Sequence, residues 1–234
     1  MADEGRAEEE ITTEASRWDD RYGELIVLIV LSMLLSAANS PWLKVVAIIV
    51  QGGMVLFAFL VSRAPRRAWR LAIILVPIAV ILGIVGQAFD LRSAESIRAV
   101  VSMILPAVAI VVLVRRIVKE PSVSGRTILG LLSVYLLIGM TFSALFASIA
   151  EISDEPFFAQ TQTEEPVDFT YFSFVTLATV GYGDLTAANP LPRMLSAIEG
   201  LTGQLYLVTV VAVAVSRVRP RRQPPEEGGG ASST

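Results

Sequence analysis

The chain has 234 residues, of which 53% are hydrophobic and only 18% are charged. A typical soluble domain carries about 25% charged residues, and the apolar residues here fall into long blocks rather than into stripes at helical spacing. Cysteine and histidine are absent, which excludes disulfide and thiolate chemistry and removes the usual zinc ligand and acid–base catalyst. The net charge of −3 favours no partner, nucleic acid included. Composition therefore predicts an all-α membrane protein and gives no indication of an enzyme.

The chain opens with an acidic segment, residues 1–21, which we expect to be a solvated cytoplasmic tail or a short surface helix. Its acidity argues against a cleaved signal peptide. Six apolar segments follow, at residues 22–40, 42–62, 69–89, 97–118, 127–150 and 191–216. At about 1.5 Å per residue, each segment can cross a bilayer core of roughly 30 Å.

These segments divide the chain into a peripheral four-helix domain at residues 22–120 and a pore domain at residues 121–218. A flexible cytoplasmic tail occupies residues 219–234. Fifteen of the 19 lysines and arginines fall on the same side of the predicted membrane as the N-terminus; the exceptions are Lys44, Arg92, Arg98 and Arg193. The positive-inside rule then places both termini in the cytoplasm of a multi-pass protein of the cell membrane.

Residues 168–178, between the last two segments, are enough for about three helical turns, with Asp168 as the expected N-cap. So short a helix cannot span alone, and we expect it to enter the membrane from outside and stop midway. Its C-terminal carbonyl groups would then face the membrane centre, where four such ends favour a cation.

The chain must return outward through Thr179-Val180-Gly181-Tyr182-Gly183, which we call the filter segment. Gly181 and Gly183 permit the positive φ angles that aim successive carbonyl groups at one axis. Val180 and Tyr182 would point away and pack behind the filter, while the Thr179 hydroxyl adds an oxygen at the inner end. Four copies would give stacked oxygen rings that replace the hydration shell of an ion, so one loop per chain predicts a homotetramer.

The stretch from Thr176 to Asp184 resembles the signature of potassium channels, with its filter pentapeptide intact. The last helix, which includes Gly200, Gly203 and Gln204, is similar to the inner helix of small prokaryotic ion channels, and the resemblance covers residues 125–218. It implies that Thr179 and the carbonyl groups of Val180, Gly181 and Tyr182 bind potassium ions in the filter. It implies no organic cofactor.

Four residues are expected to support the filter: Asp184, Thr176, Tyr171 and Phe172. Many family members carry paired tryptophans where this chain has Tyr171 and Phe172, and these rings can still form a packing cuff. Val175 replaces a glutamate that pairs with the filter acid in some bacterial channels. The sequence therefore predicts that Asp184 lacks that partner.

Six helices with the pore between the last two resemble the voltage-gated architecture, but the fourth segment lacks an arginine ladder. Arg98 is followed by sixteen uncharged residues, 99–114, before Arg115, Arg116 and Lys119. Since a charge crossing the field is worth about 2.3 kcal/mol per 100 mV, little gating energy is available. We expect a degenerate sensor and a channel that is not steeply voltage-gated.

The gate is expected in the filter or in the last helix, where Gly200 and Gly203 are candidate bending points. The valines below them could form a hydrophobic constriction: Val208, Val211 and Val215. Both glycines could equally be close-packing sites.

The role of Glu199 stays open at this stage: it could pair with Arg193 or an outer-face group, or lie behind the filter. The outer segment, residues 151–168, holds six acids and no base, which either concentrates cations or is a solvated loop. Arginines at the end of the last helix could contact anionic lipid headgroups.

Two other functions compete with a potassium channel. A non-selective cation channel of the same architecture is disfavoured because Tyr182 and Gly183 complete the filter. A secondary transporter with a broken-helix site usually has two related halves, and no such repeat is visible in this sequence.

Overall fold

The computed structural model describes residues 21–36, 41–61, 65–89, 92–118, 125–160 and 164–217. Seven helices lie in these ranges: α1 Tyr22–Ser36, α2 Pro41–Val61, α3 Arg66–Phe89, α4 Arg92–Val118, α5 Gly125–Ile152, α6 Pro166–Leu177 and α7 Pro190–Arg217. The same ranges contain no β-strand, only one antiparallel bridge between Phe158 and Ala187. The predicted all-α class is confirmed. The acidic segment before residue 21 and the tail after residue 217 lie outside the described residues.

Each predicted apolar segment corresponds to one helix. The first segment, residues 22–40, contains α1, which has 15 residues; residues 37–40 of that segment lie outside the described part of the chain. Two helical segments in the described part of the chain are long and apolar enough to cross a membrane, Thr127–Ile152 and Pro190–Val213. These belong to α5 and α7, the two helices that flank the short helix α6.

Helices α1 to α4 and the inner half of α5 share one apolar core. Each helix contributes fully buried side chains to it, among them Ile29 of α1, Met54 of α2, Leu113 of α4 and Leu137 of α5. Helices α3 and α4 continue through Pro77 and Pro106. Helices α1 to α4 are therefore attached to α5 by apolar packing.

Arg116, near the end of α4, has a structural role in this core. Its guanidinium group donates a hydrogen bond to the carbonyl oxygen of Val61, at the C-terminal end of α2, where unpaired carbonyl groups carry partial negative charge. It also lies over the Tyr22 ring, 5.9 Å from its centroid. The sequence places this arginine only at the end of the fourth segment, after its uncharged centre.

Candidate functional site: the pore loop

The short helix α6 begins three residues earlier than the sequence suggested. Its N-cap is Glu165, with extended backbone angles (φ −102°, ψ 154°), and Pro166 occupies the first turn. Asp168, expected as the N-cap, is instead the third helical residue, and its Oδ2 accepts a hydrogen bond from the backbone N–H of Glu165 at 2.9 Å. Pro166 explains the earlier start, because proline is favoured in the first turn, where its missing N–H costs nothing.

A cluster of phenylalanines holds α6 against α5 and the outer loop. Its buried rings are Phe146, Phe157, Phe158, Phe169 and Phe172. Neighbouring centroids lie 4.9–5.9 Å apart, mostly tilted or edge-to-face, the geometry that aromatic quadrupoles favour. Phe172 of α6 thus packs within this cluster, where its ring needs no hydrogen-bond donor.

The filter segment follows α6 in an extended, irregular conformation. Gly181 and Gly183 have φ angles of +58° and +81°, as expected from their spacing. Thr179 also has a positive φ, +56°, which is strained for a β-branched residue. Alternate residues of the segment therefore share left-handed backbone geometry, and Thr179 is the one that sequence reasoning missed.

The outer end of the filter is tied to α6 by a hydrogen bond that the sequence did not indicate. The Tyr171 hydroxyl donates to Oδ2 of Asp184 at 2.7 Å. Because this bond favours the ionised carboxylate, it lowers the pKa of Asp184, and it raises the pKa of Tyr171 to about 12. Val175 cannot pair with Asp184 as the glutamate of some bacterial channels does, and the Tyr171 hydroxyl is the partner of Asp184 instead.

Side chains of α5 and α7 bond to the start of the filter segment, to the end of α6 and to each other. Gln204 donates its side-chain N–H to the Thr179 hydroxyl at 2.9 Å. Tyr135 donates its hydroxyl to the carbonyl oxygen of Leu177 at 3.2 Å, and the Tyr206 hydroxyl donates to the carbonyl oxygen of Leu131 at 2.6 Å. In the sequence, these contacts are indicated only by polar side chains inside apolar helices. Polar residues at such positions of membrane proteins are often functional.

Gly203 lies against the end of α6. A Cβ atom at this position would be 2.2 Å from the carbonyl oxygen of Leu177, whereas at Gly200 it would be 3.6 Å from that of Thr176. The first distance is impossible for a real side chain and the second is an ordinary contact. Gly203 is therefore a close-packing site of α7 on the pore helix, one of the two roles expected for it.

Glu199 lies behind the filter, one turn above Gly203 on α7. Its side chain is 0% exposed, and its Oε1 is hydrogen-bonded to the Ser173 hydroxyl of α6. That hydroxyl is also hydrogen-bonded to the carbonyl oxygen of Gly139 in α5, at 2.7 Å. Arg193 is not its partner; its Nε donates to the carbonyl oxygen of Ala187 at 2.9 Å.

Two acids of the outer segment, Glu164 and Asp168, accept hydrogen bonds from the backbone of the loop. Oε1 of Glu164 accepts the backbone N–H groups of Phe157 and Phe158 at 2.5 and 2.9 Å. Asp168 occupies the cap described above. These two acids hold the loop over α6, which favours the structural interpretation of this segment for both of them.

Within one chain, the filter segment and one face of α7 are uncovered. Val180 is 52% exposed and Tyr182 is 72% exposed, so the expected packing behind the filter does not occur within a single chain. Large apolar side chains along α7 are exposed as well: Leu191, Met194, Ile198, Leu201, Leu205, Val208 and Val211. Of the three candidate gate valines, Val208 and Val211 lie on this face; the side chain of Val215 is outside the described part of the structure.

Comparison with known proteins supports the class that this loop defines. Residues 130–219 match the family model described as "Ion channel". This match covers α5 apart from its first five residues, the loop, the filter segment and α7, so this part of the chain resembles an ion channel domain.

Three curated plant proteins resemble the chain over a similar length. It is 36% identical over 104 residues to "Two pore potassium channel a" of Oryza sativa subsp. japonica, covering 44% of this chain and 26% of that protein. It is 36% identical over 101 residues to "Two-pore potassium channel 4" of Arabidopsis thaliana (43% and 34%), and 33% identical over 99 residues to "Two pore potassium channel c" of Oryza sativa subsp. japonica (42% and 20%). The matched regions thus span about a third or less of these relatives. Together with the family match, they support the potassium channel family that the filter pentapeptide indicated.

Proposed function

We propose that this chain is one subunit of a homotetrameric, potassium-selective channel that conducts potassium ions passively down their gradient. The observation that carries the proposal is the backbone of the filter segment, which has left-handed geometry at Thr179, Gly181 and Gly183. Exposed, irregular backbone of this kind is tolerated at membrane depth only where it lines a pore. In the proposed pore, the carbonyl groups of Val180, Gly181 and Tyr182 and both oxygens of Thr179 hold dehydrated potassium ions.

The uncovered face of one chain supports a fourfold assembly. The sequence contains a single filter segment, which cannot surround an ion alone. A single chain leaves exposed Val180, Tyr182 and the apolar face of α7. Another chain is needed to bury them. In the proposed tetramer, neighbouring subunits bury Val180, Tyr182 and the upper part of this face, from Leu191 to Leu205, while Val208 and Val211 line the conduction path as a candidate constriction. Val215 stays a candidate for the same constriction.

The proposed membrane arrangement has six spans and both termini in the cytoplasm of the cell membrane. Helices α5 and α7 enclose the pore loop, and α1 to α4 form the peripheral domain. The basic residues at the end of α7 would lie at the level of anionic lipid headgroups. The uncharged centre of α4 and the bonding of Arg116 to α2 support a domain that does not sense voltage steeply.

Planar-bilayer recording of the purified, reconstituted protein tests this proposal. In mixed potassium and sodium solutions, we expect the reversal potential to follow the potassium gradient and barium to block the current. A reversal potential that follows sodium would show a non-selective cation channel. Slow, saturable exchange without channel currents would show a transporter.

A pair of glycine variants makes the same test residue-specific. Gly181→Ala places a side chain at a φ of +58° in the filter segment, and we expect it to abolish selective conduction. Gly53→Ala in α2 meets nothing within 4 Å and is the matched control, which should conduct normally. Equal selectivity in both variants would contradict a pore through this segment.

A further inference from the structure

Glu199 is buried completely by its own chain. It lies in the N-terminal half of α7, is 0% exposed, and its side chain reaches Ser173 of α6. Because a single subunit already encloses it, a neighbouring subunit cannot supply a partner. The groups that decide its state are therefore those of its own chain.

The hydrogen bonds around Ser173 favour a protonated Glu199. Oγ of Ser173 is bonded to two oxygens, the carbonyl oxygen of Gly139 at 2.7 Å and Oε1 of Glu199. A serine hydroxyl has one proton to donate, and an ionised carboxylate has none. With Glu199 ionised, one of the two contacts would join two oxygens with no proton between them. With Glu199 protonated, its O–H donates to Ser173, whose own O–H donates to Gly139.

The surroundings offer no positive charge to stabilise an ionised Glu199. Among the residues that the structure describes, no ion pair to Glu199 is found, and Arg193 of the same helix is bonded to the Ala187 carbonyl oxygen. Oε2 of Glu199 has no hydrogen-bond partner in this described part. Burying an unpaired carboxylate is costly, whereas a neutral acid loses much less on leaving water.

The titratable groups on the neighbouring helices do not change this conclusion. From α5, Tyr135 is near enough to interact electrostatically with Glu199, and its hydroxyl donates to the Leu177 carbonyl oxygen. The titratable residues of α6 are bonded elsewhere: Asp168 to the Glu165 N–H, and Tyr171 to Asp184. None of these groups is a cation.

We propose that Glu199 is a neutral positioning residue whose proton completes a hydrogen-bonded chain from α7 through Ser173 of α6 to Gly139 of α5. Ser173 lies six residues before Thr179, so the chain fixes the height and rotation of the pore helix directly behind the filter segment. Raising the pH removes the proton and places a negative charge among three packed helices. The consequence for conduction rests on the proposed channel function, but the protonation state does not.

Infrared spectroscopy of the full-length protein in lipid vesicles tests the protonation state without any current. With ¹³C-labelled glutamate, the wild type at neutral pH should show the C=O stretching band of a protonated carboxylic acid. Glu199→Gln should remove this band, and Ser173→Ala should shift it by breaking its hydrogen bond. A spectrum in which Glu199 contributes no protonated band at neutral pH would overturn the proposal. A band present in a protein that does not conduct potassium would refute only the channel function.

Single-channel recording then tests the positioning role. Glu199→Gln keeps a donor and an acceptor and should retain wild-type open probability and selectivity. Glu199→Leu and Ser173→Ala should each lower the open probability by roughly five- to tenfold, the effect of one lost buried hydrogen bond. The double variant should lose no more than either single one. Ser196→Ala, which removes a hydroxyl bonded within α7 to the Pro192 carbonyl oxygen, is the control and should behave as wild type.

The pH profile separates this role from a merely structural one. The open probability of the wild type should fall as the pH is raised, because Glu199 loses its proton, and that alkaline limb should be absent in Glu199→Gln. This comparison stands even if Glu199→Leu does not fold. Identical profiles for wild type and Glu199→Gln, or a Glu199→Gln channel as impaired as Ser173→Ala, would overturn the proposal.

Discussion

The peripheral helices and the pore region are held together by different interactions. Helices α1 to α4 meet largely through buried apolar side chains such as Ile29, Met54 and Leu113. In the pore region, by contrast, hydrogen bonds join helix to helix, including Ser143 to Thr170 at 3.0 Å and Tyr206 to the Leu131 carbonyl oxygen at 2.6 Å. Apolar packing brings helices together but tolerates small rotations, whereas a hydrogen bond fixes one helix against another at a given height. A filter that must present oxygens at fixed positions needs the second kind of contact.

The largest effect is expected from Gly203→Ala. The added Cβ atom would lie 2.2 Å from the Leu177 carbonyl oxygen, and neither backbone can move without displacing the end of α6. We expect a loss of about 3 kcal/mol or more in the free energy of unfolding, together with the loss of selective conduction. Denaturant unfolding in detergent and bilayer recording measure the two effects.

Gly200→Ala is the matched control for this variant. Its Cβ atom would be 3.6 Å from the nearest heavy atom, the Thr176 carbonyl oxygen, so the filter should be unchanged. If both variants conducted normally, the close contact of α7 with the pore helix would not matter for the filter. If both were equally impaired, bending of α7, rather than packing at Gly203, would be the better explanation.

A smaller effect is expected from Tyr206→Phe, which removes one hydrogen bond between α7 and α5 and leaves the ring in place. The bond to the Leu131 carbonyl oxygen is 2.6 Å long, and its loss should lower the free energy of unfolding by about 0.5–1.5 kcal/mol. Tyr135→Phe breaks a longer bond, 3.2 Å to Leu177, and should cost less stability. The two values can be compared by denaturant unfolding, and the reverse order would contradict the geometric ranking.

Ile29→Val tests the other side of the comparison, because it changes only the apolar core of the peripheral helices. Ile29 is fully buried, and removing one methylene group should cost about 0.5–1.5 kcal/mol of stability. Since no hydrogen bond to the filter is affected, the ratio of potassium to sodium permeability should stay unchanged. A change in that ratio, measured from reversal potentials, would show that the peripheral helices also position the filter.

The sequence could predict the apolar helices and the local geometry of the filter segment, but not the hydrogen bonds between distant residues. Hydrophobic blocks fixed the helices to within a few residues, and the two glycines of the filter segment fixed its local geometry. The positive φ of Thr179 was missed because β-branched residues rarely adopt it. The bonds Tyr171–Asp184, Gln204–Thr179 and Glu199–Ser173 were missed because each joins residues 13 to 26 positions apart, which no local pattern encodes.

The start of α6 shows a second limit. Asp168 is a favoured N-cap residue, but Pro166 favours the earlier start that places Glu165 at the N-cap. Hydrophobicity locates a segment, while its ends depend on local backbone bonds.

The smallest effect is expected from Tyr171→Phe, which acts at the outer end of the filter. The tyrosine hydroxyl lowers the pKa of Asp184 by hydrogen bonding to its ionised form. This interaction supports the folded filter at pH values above the ordinary pKa of an aspartate, and it is lost as the pH falls through the lowered pKa. Without the hydroxyl, the pKa of Asp184 rises, so acid-induced loss of conduction should begin at a higher pH than in the wild type. Titration of the outer solution during bilayer recording measures the midpoint, with Ser196→Ala as a hydroxyl control; a midpoint that does not move would show that the Tyr171 hydroxyl does not support the filter.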